Sequence, residues 1–204
     1  MAASGMRALR LAAWAAVVVT AGVATWLLVF NRDSGPESAI VPALIGGPFA
    51  LVDQTGATVT EADLQGHPSA LFFGYTYCPD VCPTTLFDAT NWLEQLGPDG
   101  DKLKFYFIGV DPARDTRELM ASYLEAFDPR IIGLTGSQEA IDQIVEAYRV
   151  YVRMVDDDGS GAYLVDHTAS VYLLDDTAEF VATIAYQEDP ETVMAKLRRL
   201  VSES

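Results

Sequence analysis

The feature that most constrains the fold is an apolar run that leads directly into the only two cysteines of the chain. Leu71 to Tyr75 consists of apolar and aromatic residues with one glycine, as expected for a strand buried at the centre of a sheet. Cys78 and Cys82 follow within Cys-Pro-Asp-Val-Cys-Pro, and a helix is predicted from Thr84 to Leu96 because its apolar residues recur on one face. The thiol pair therefore lies at a strand-to-helix junction, where cysteines react or hold a metal.

The order of the predicted elements indicates an α/β fold. Strands alternate with helices through the middle of the chain, and a β-rich end is closed by a last helix with proline in its first turn. A thiol pair at the strand-to-helix turn of such an order favours a thioredoxin-like mixed sheet flanked by helices. The predicted strands are residues 49–53, 57–60, 71–76, 104–111, 131–134, 150–155, 169–174 and 180–186, and the predicted helices are residues 84–96, 115–127, 137–148 and 190–201.

The N-terminal part of the chain predicts a transmembrane helix ahead of this domain. Leu11 to Phe30 are twenty consecutive residues without a charge, and a helix of that length is about 30 Å long, which matches a bilayer core. Arg7 and Arg10 precede the run, so we expect residues 1–10 in the cytoplasm. Residues 31–46 predict a tether, and residues 47–204 predict the globular domain. Cleavage after Ala24 is the alternative, but the apolar run continues past it to spanning length.

The acidic charge of the chain argues against one class of partner. With 29 acidic and 13 basic residues, the formal net charge is −16 at pH 7. Such a surface repels phosphate backbones, so no nucleic-acid partner is expected. If the domain is exported, its thiols lie in an oxidising compartment, where a disulfide is the expected resting state.

The spacing of the cysteines favours a metal site. Thioredoxin-type enzymes have two residues between their cysteines, whereas three separate Cys78 from Cys82. On a helical turn this spacing places the Cβ atoms about 5–6 Å apart, which is wide for a relaxed disulfide but suits two sulfurs that converge on one ion. Thiolates select Cu(I) or Zn(II), and either metal then needs a third ligand. A helix N-terminus lowers a thiol pKa and Asp80 opposes it, so the direction of the pKa shifts stays open.

The chain has two histidines that could supply the third ligand. His67 lies in a Gly-His-Pro turn before the central strand, and we expect it to be an exposed loop residue. His167 lies far along the chain, at the approach to the predicted strand over 169–174. Its chemistry fits a metal ligand and a hydrogen-bonded loop residue equally well. Two thiolates and one imidazole would make a compact copper site, but only the fold can bring them together.

Two acidic motifs have ordinary structural explanations. The segment from Asp111 to Asp115 lies between a predicted strand and a predicted helix. Asp115 to Glu118 form a capping-box pattern, with Asp115 at the N-cap of that helix. Asp156 to Gly159 is typical of a solvated hairpin, because no bidentate glutamate follows at the spacing of a calcium-binding EF-hand. The sequence shows no Ser-His-Asp arrangement, phosphate loop or dinucleotide fingerprint.

Three blocks of the sequence together resemble the Sco/SenC family of copper chaperones. The first is Phe73 to Leu86 (FGYTYCPDVCPTTL), the second is Val110 to Thr116 (VDPARDT), and the third is Val165 to Thr168 (VDHT), followed by Val171 to Leu173. The blocks occur in the family's order, and the resemblance covers roughly residues 49–200. One departure is Asp176-Thr177-Ala178, which replaces a glycine-containing turn common after the histidine strand and should affect only that hairpin.

The resemblance implies that a thioredoxin-like domain binds copper, as Cu(I) or Cu(II), through Cys78, Cys82 and His167. It also implies a Cys78–Cys82 disulfide when the pair is oxidised. The metal, or reducing equivalents, would be delivered to the binuclear copper centre in the copper-bearing subunit of cytochrome c oxidase, with other copper chaperones or thiol reductants as further partners. The location implied is a bacterial inner membrane, crossed once with the domain in the periplasm, or the mitochondrial inner membrane facing the intermembrane space.

Three other functions stay open at this point. A thiol–disulfide oxidoreductase would cycle Cys78 and Cys82 between dithiol and disulfide, and this is coupled to metal binding because only the reduced pair can bind a metal. A purely structural disulfide is disfavoured, since so short a loop contributes less than the roughly 3 kcal/mol expected for a fifteen-residue loop. A peroxidase on a similar fold would have to consume hydrogen peroxide rapidly. The sequence therefore leaves open whether the chain is an enzyme.

Overall fold

The structure is a computed structural model that describes residues 45–156 and 163–203, together with Trp14, Val19 and Thr20. By its contacts the chain divides into two units, Met1–Ala43 and Leu44–Ser204, and the description below concerns the second. The predicted segments 1–10, 11–30 and 31–46 lie almost wholly outside the described residues. Within the described part, no helix is both long enough and apolar enough to cross a membrane. The anchor and the tether therefore stay predictions.

The described part of the second unit is an α/β domain with a mixed sheet. Its strands are β1 (Ala50–Asp53), β2 (Thr58–Thr60), β3 (Ser69–Gly74), β4 (Lys104–Gly109), β5 (Ile131–Thr135), β6 (Val152–Asp156), β7 (Tyr163–His167), β8 (Val171–Leu174) and β9 (Phe180–Ile184). Its α-helices are α1 (Val81–Leu96), α2 (Arg117–Leu124), α3 (Gln138–Ala147) and α4 (Pro190–Ser202). Seven strands form one sheet in the order β2-β1-β5-β4-β3-β8-β9, and β6 pairs with β7 in a separate hairpin. The predicted α/β class is confirmed.

The apolar run before the cysteines forms the central strand β3. It pairs in parallel with β4 and antiparallel with β8, and all six of its residues are buried. Phe72 stacks on Phe107 of β4, and on the opposite face of the sheet Phe73 packs against Tyr148 and Tyr172. Each such aromatic ring contributes roughly 1.5–3 kcal/mol by leaving water. Burial on both faces explains why this strand has no polar alternation.

The parallel arrangement of β3, β4 and β5 decides where the site lies. The carboxyl ends of parallel strands lie at one edge of a sheet, and loops that follow them come together there. The loop after β3 holds Cys78, and the loop after β4 holds Asp111 and Arg114. The cysteine loop and the Asp111–Arg114 segment therefore lie at the same edge of the sheet.

Two elements near the cysteines and His167 differ from the sequence-based prediction. Helix α1 begins at Val81, three residues earlier than predicted, so Cys82 lies in its first turn. Pro83 is tolerated there because the N–H groups of a first turn have no partner within the helix. Strand β7 was not predicted, and in it His167 pairs with Val152 of β6. His167 is thus the last residue of a strand instead of a loop residue, and residues 157–162, which join β6 to β7, lie outside the described residues.

The turn between β8 and β9 shows what replaces the expected glycine. Ala178 has a φ of 65°, in the left-handed region that favours glycine. The carboxylate of Asp175 stabilises the turn by accepting hydrogen bonds from Thr177 N at 2.9 Å, Thr177 Oγ1 at 2.7 Å and Glu179 N at 3.0 Å. These three hydrogen bonds lie within the turn, and Asp176 O also accepts from Gly66 N at 2.7 Å, outside the hairpin.

Candidate metal centre

Three parts of the fold bring Cys78, Cys82 and His167 together. Cys78 lies in the turn after β3, where its N–H donates to Tyr75 O at 3.2 Å, Cys82 lies in the first turn of α1, and His167 ends β7. One ligand atom from each residue lies within 4.8 Å of the other two, and Cys82 Sγ is 3.5 Å from His167 Nε2. Both cysteines are free thiols. The fold thus places two sulfurs and one imidazole nitrogen around a common point.

The donor set and its spacing fit a small soft metal ion. A trigonal first-row metal with bonds of about 2.0–2.3 Å holds its ligand atoms roughly 3.5–4.0 Å apart. The separations here are within 4.8 Å, so adjustments of about 1 Å would close the site around an ion of this size. Two thiolates with an imidazole suit copper or zinc far better than calcium or magnesium, which take oxygen ligands.

The orientation of the His167 ring is set before any metal arrives. Its Nδ1 lies 3.1 Å from Thr168 O, and because a carbonyl only accepts, Nδ1–H donates and leaves Nε2 with a free lone pair. The ring packs edge-on against Phe72, at 6.2 Å between centroids, and against Tyr75, at 5.9 Å. The nitrogen that faces the sulfurs is therefore the one able to act as a ligand.

The two thiols hold their protons unequally. A hydrogen bond from the Cys82 thiol, reinforced by the backbone N–H of Cys82 at 3.4 Å, holds the pKa of Cys78 far below its usual value, although partial burial opposes this. The same hydrogen bond and deep burial raise the pKa of Cys82. The Cys82 amide belongs to the first helical turn and has no partner within the helix, so it is free to stabilise the Cys78 thiolate. Cys78 is the thiolate of the pair, and Cys82 keeps the proton.

Gly74, the last residue of β3, makes room for the buried sulfur. A Cβ atom at this position would lie 2.7 Å from Cys82 Sγ and 2.8 Å from Phe107 Cε2. Both distances are shorter than any real carbon contact of this kind, so no side chain fits without moving the sulfur. The glycine between the apolar run and the cysteines is thus required by close approach.

The other histidine lies elsewhere. His67 precedes β3, whereas the cysteines follow it, so the length of the strand, about 20 Å, separates the two positions. His67 Nδ1 lies 3.3 Å from the Ser69 hydroxyl oxygen. The prediction that it is a loop residue is confirmed, although it is half-buried instead of exposed.

The carboxylate of Asp115 has a role that the sequence did not indicate. The N-cap of α2 is Thr116, whose hydroxyl accepts from Leu119 N, so the prediction of Asp115 as the cap was wrong. Asp115 is instead fully buried and accepts from Thr76 N at 2.9 Å and Thr76 Oγ1 at 2.7 Å, two residues before Cys78. Burial raises the pKa of its carboxyl. A capping pattern and a buried anchor for the cysteine loop look alike in sequence, because both place an acid before a helix.

Comparison with known proteins shows that the chain is similar to members of one family. The SCO1/SenC family model matches residues 37–202. Protein SenC of Rhodobacter capsulatus is 39% identical over 90% of this chain and 85% of its own length, and the human SCO1 homologue of mitochondria is 36% identical over 82% of this chain and 60% of its own length. Among solved structures, Bradyrhizobium japonicum ScoI with copper bound has a TM-score of 0.72 at 46% identity, covering 76% of this chain and 99% of that one. Yeast Sco1 with copper bound also has a TM-score of 0.72, at 36% identity, covering 79% of this chain and 90% of that one.

Proposed function

The chain belongs to the SCO1/SenC family, and from that membership we propose that it is a copper chaperone for cytochrome c oxidase. Copper is its cargo, held by Cys78, Cys82 and His167 and delivered to the binuclear copper centre of the oxidase during assembly. The observation that carries the proposal is the convergence of two thiol sulfurs and His167 Nε2 within 4.8 Å. Solved relatives at 36–46% identity hold copper on the same fold.

The chemistry of the three side chains supports a carrier that binds and releases. Soft sulfur donors bind Cu(I), and the imidazole adds a ligand that both oxidation states of copper accept. Cys78 is half-buried beside the exposed Tyr77, whereas Cys82 is fully buried. An incoming ligand from a partner could therefore reach the metal on the Cys78 side, and ligand exchange would pass the ion on without releasing it to water.

The proposed location follows from the sequence. The predicted helix over residues 11–30 would anchor the domain on the outer face of the bacterial inner membrane, or on the intermembrane-space face in mitochondria. The copper-bearing subunit of the oxidase would be met there. Other copper chaperones or thiol reductants would supply the metal or keep the pair reduced.

Removal of the third ligand tests the chaperone proposal. We expect His167→Ala to lower Cu(I) affinity at least 100-fold, since even residues that only support a ligand change affinity 10- to 100-fold. The measurement is competition against a chromophoric Cu(I) chelator with the reduced protein. His67→Ala is the matched control, because it removes the other histidine at the far end of β3. Equal affinity in His167→Ala and the parent would contradict the three-ligand site.

A second function, thiol–disulfide exchange, is favoured by the unequal thiols. Cys78 thiolate would attack a disulfide of a partner protein and release one partner thiolate, and Cys82, after losing its proton, would attack Cys78 Sγ and release the other. The partner gains two electrons, and Cys78–Cys82 becomes the disulfide. His167→Ala should leave this exchange rate within about threefold of the parent, because the imidazole is not needed to transfer electrons. If His167→Ala lowers the exchange rate as much as it lowers copper affinity, thiol–disulfide exchange is not a function separate from copper binding.

A further inference from the structure

We propose that Arg114 is a positioning residue that fixes the histidine hairpin, β6 and β7, against the cysteine loop, residues 75–80, for metal binding. The proposal rests on the proposed function, since it assigns a role within that site. Arg114 itself is not a candidate ligand, because a guanidinium stays protonated in proteins. Its effect must come through the residues that it contacts.

The guanidinium of Arg114 packs against rings from both sides of the site. Its Cζ lies 3.7 Å from the centroid of the Tyr163 ring and 5.0 Å from that of Tyr77. Tyr163 begins β7, the strand that ends at His167, and Tyr77 directly precedes Cys78. These are cation–π distances, at which a cation is attracted to the faces of both rings. One side chain therefore joins the element that carries the imidazole to the loop that carries the thiolate.

Hydrogen bonds reinforce the same connection. Arg114 Nη1 donates to Tyr163 O at 3.0 Å, Arg114 Nε donates to Asp111 Oδ2, and Tyr163 Oη donates to Asp111 Oδ1 at 2.8 Å. Asp111 is fully buried, so its charge requires these partners. Only a planar group offers two faces to rings and an edge to hydrogen-bond acceptors at once, and a lysine ammonium cannot replace it.

The histidine hairpin needs such a fixture. A two-stranded hairpin is marginally stable alone, and β6 and β7 are not part of the seven-stranded sheet. Besides Arg114, the N–H of Val165 connects β7 to the body of the domain by donating to Tyr75 Oη at 3.3 Å. Metal–ligand bonds form within about 0.2 Å of their ideal lengths, so a hairpin that is not held against the cysteine loop would leave the His167 nitrogen outside bonding range for much of the time.

A double-mutant cycle tests whether Arg114 acts through the imidazole. We expect Arg114→Lys, which keeps a cation beside Asp111, to lower Cu(I) affinity about 10-fold in the parent and less than 2-fold in a His167→Ala background. Arg130→Lys is the matched control, since Arg130 also pairs with a nearby aspartate, Asp128, at 2.6 and 2.9 Å, in the loop before β5. It should change copper affinity less than 2-fold. An equal loss in both backgrounds, or in the Arg130→Lys control, would overturn the proposal.

Two further measurements keep the test decisive if the lysine variant does not fold. Tyr163→Leu removes the ring under Arg114 and keeps the Asp111–Arg114 pair. It should lower Cu(I) affinity as much as Arg114→Lys does, and only when His167 is present. In the metal-free protein, hydrogen exchange at the Val165 amide should be faster in Tyr163→Leu, and the Cu(II)-loaded form should show weaker imidazole coupling in its electron paramagnetic resonance spectrum.

The outcomes separate this inference from the proposed function. If His167→Ala does not weaken copper binding in the parent, the proposed function fails and this inference fails with it. If that dependence holds but Tyr163→Leu binds copper as the parent does, with unchanged Val165 exchange, only the role of Arg114 is refuted.

Discussion

The contact between Gly74 and the buried sulfur makes a sharp prediction about Gly74→Ala. The added methyl would start 2.7 Å from Cys82 Sγ and 2.8 Å from Phe107 Cε2. An ordinary sulfur–carbon contact is about 3.6 Å, so the sulfur must move by roughly 1 Å. That displacement adds to the adjustments of about 1 Å that the three ligand atoms already need to close around an ion. The substitution should therefore damage copper binding as well as packing.

Gly74→Ala should lower both the free energy of unfolding and the affinity for Cu(I). Overpacking a core by one methyl costs about 1–3 kcal/mol, and the reduced entropy of the unfolded chain returns about 0.4–1 kcal/mol. A net loss of about 1–2 kcal/mol, divided by a urea dependence of about 2 kcal/mol per M, lowers the unfolding midpoint by about 0.5–1 M. We expect Cu(I) affinity to fall at least 10-fold, as for a disturbed residue that supports a ligand.

Gly133→Ala is the control that separates packing from sulfur placement. Its Cβ would collide with Met120 Cγ and lie 2.7 Å from Leu124 Cδ1, two side chains of α2, and neither thiol sulfur is among the atoms nearest to it. Urea unfolding of the reduced, metal-free proteins should show a loss of stability in both variants. Copper competition should show a loss of affinity only in Gly74→Ala. Parent-like copper affinity in folded Gly74→Ala, or an equal loss in Gly133→Ala, would refute the reasoning.

Two further predictions concern the β8–β9 turn and the thiolate. Ala178→Gly should raise the free energy of unfolding by about 1 kcal/mol, because a φ of 65° strains alanine, and urea unfolding that shows no gain would contradict this. Alkylation of Cys78 by iodoacetamide should keep nearly the same rate from pH 8 to pH 5, because its pKa is lowered to about 3 by the Cys82 hydrogen bond and the thiolate persists over that window. An ordinary thiol would slow about 800-fold over the same range. Mass spectrometry should find Cys82 unmodified, and a rate for Cys78 that falls with pH as for an ordinary thiol would show that the pair does not share its proton in this way.

The sequence was most informative where structure depends on near neighbours. The buried strand β3, the thiol junction after it and the β1–β2 hairpin all appear in the structure close to where the pattern predicted them. Hydrophobic periodicity and turn chemistry act over a few residues, so the sequence records them directly. The start of α1 was predicted three residues too late, because the recurrence of apolar residues does not record the first turn, which here contains Pro83.

The sequence did not predict the roles of Asp115 and Arg114. Asp115 has the pattern of a helix cap, yet its carboxylate accepts from Thr76 and its side chain is buried. Arg114 looked like part of the same cap region, and its contacts with Tyr163 cross 49 residues of chain. Burial and long-range pairing depend on which loops meet at the sheet edge, and no local pattern carries that information.

The sequence identified the residue types at the candidate site, but it did not show that they lie close together. Two soft sulfurs and a lone downstream imidazole could be read as possible ligands, and the motif blocks pointed to a family. His167 reaches Cys82, 85 residues away, because β7 pairs with β6 and because the imidazole ring packs against Phe72 and Tyr75. The direction of each thiol pKa shift was settled in the same way, because hydrogen bonding and desolvation act through space and not along the sequence.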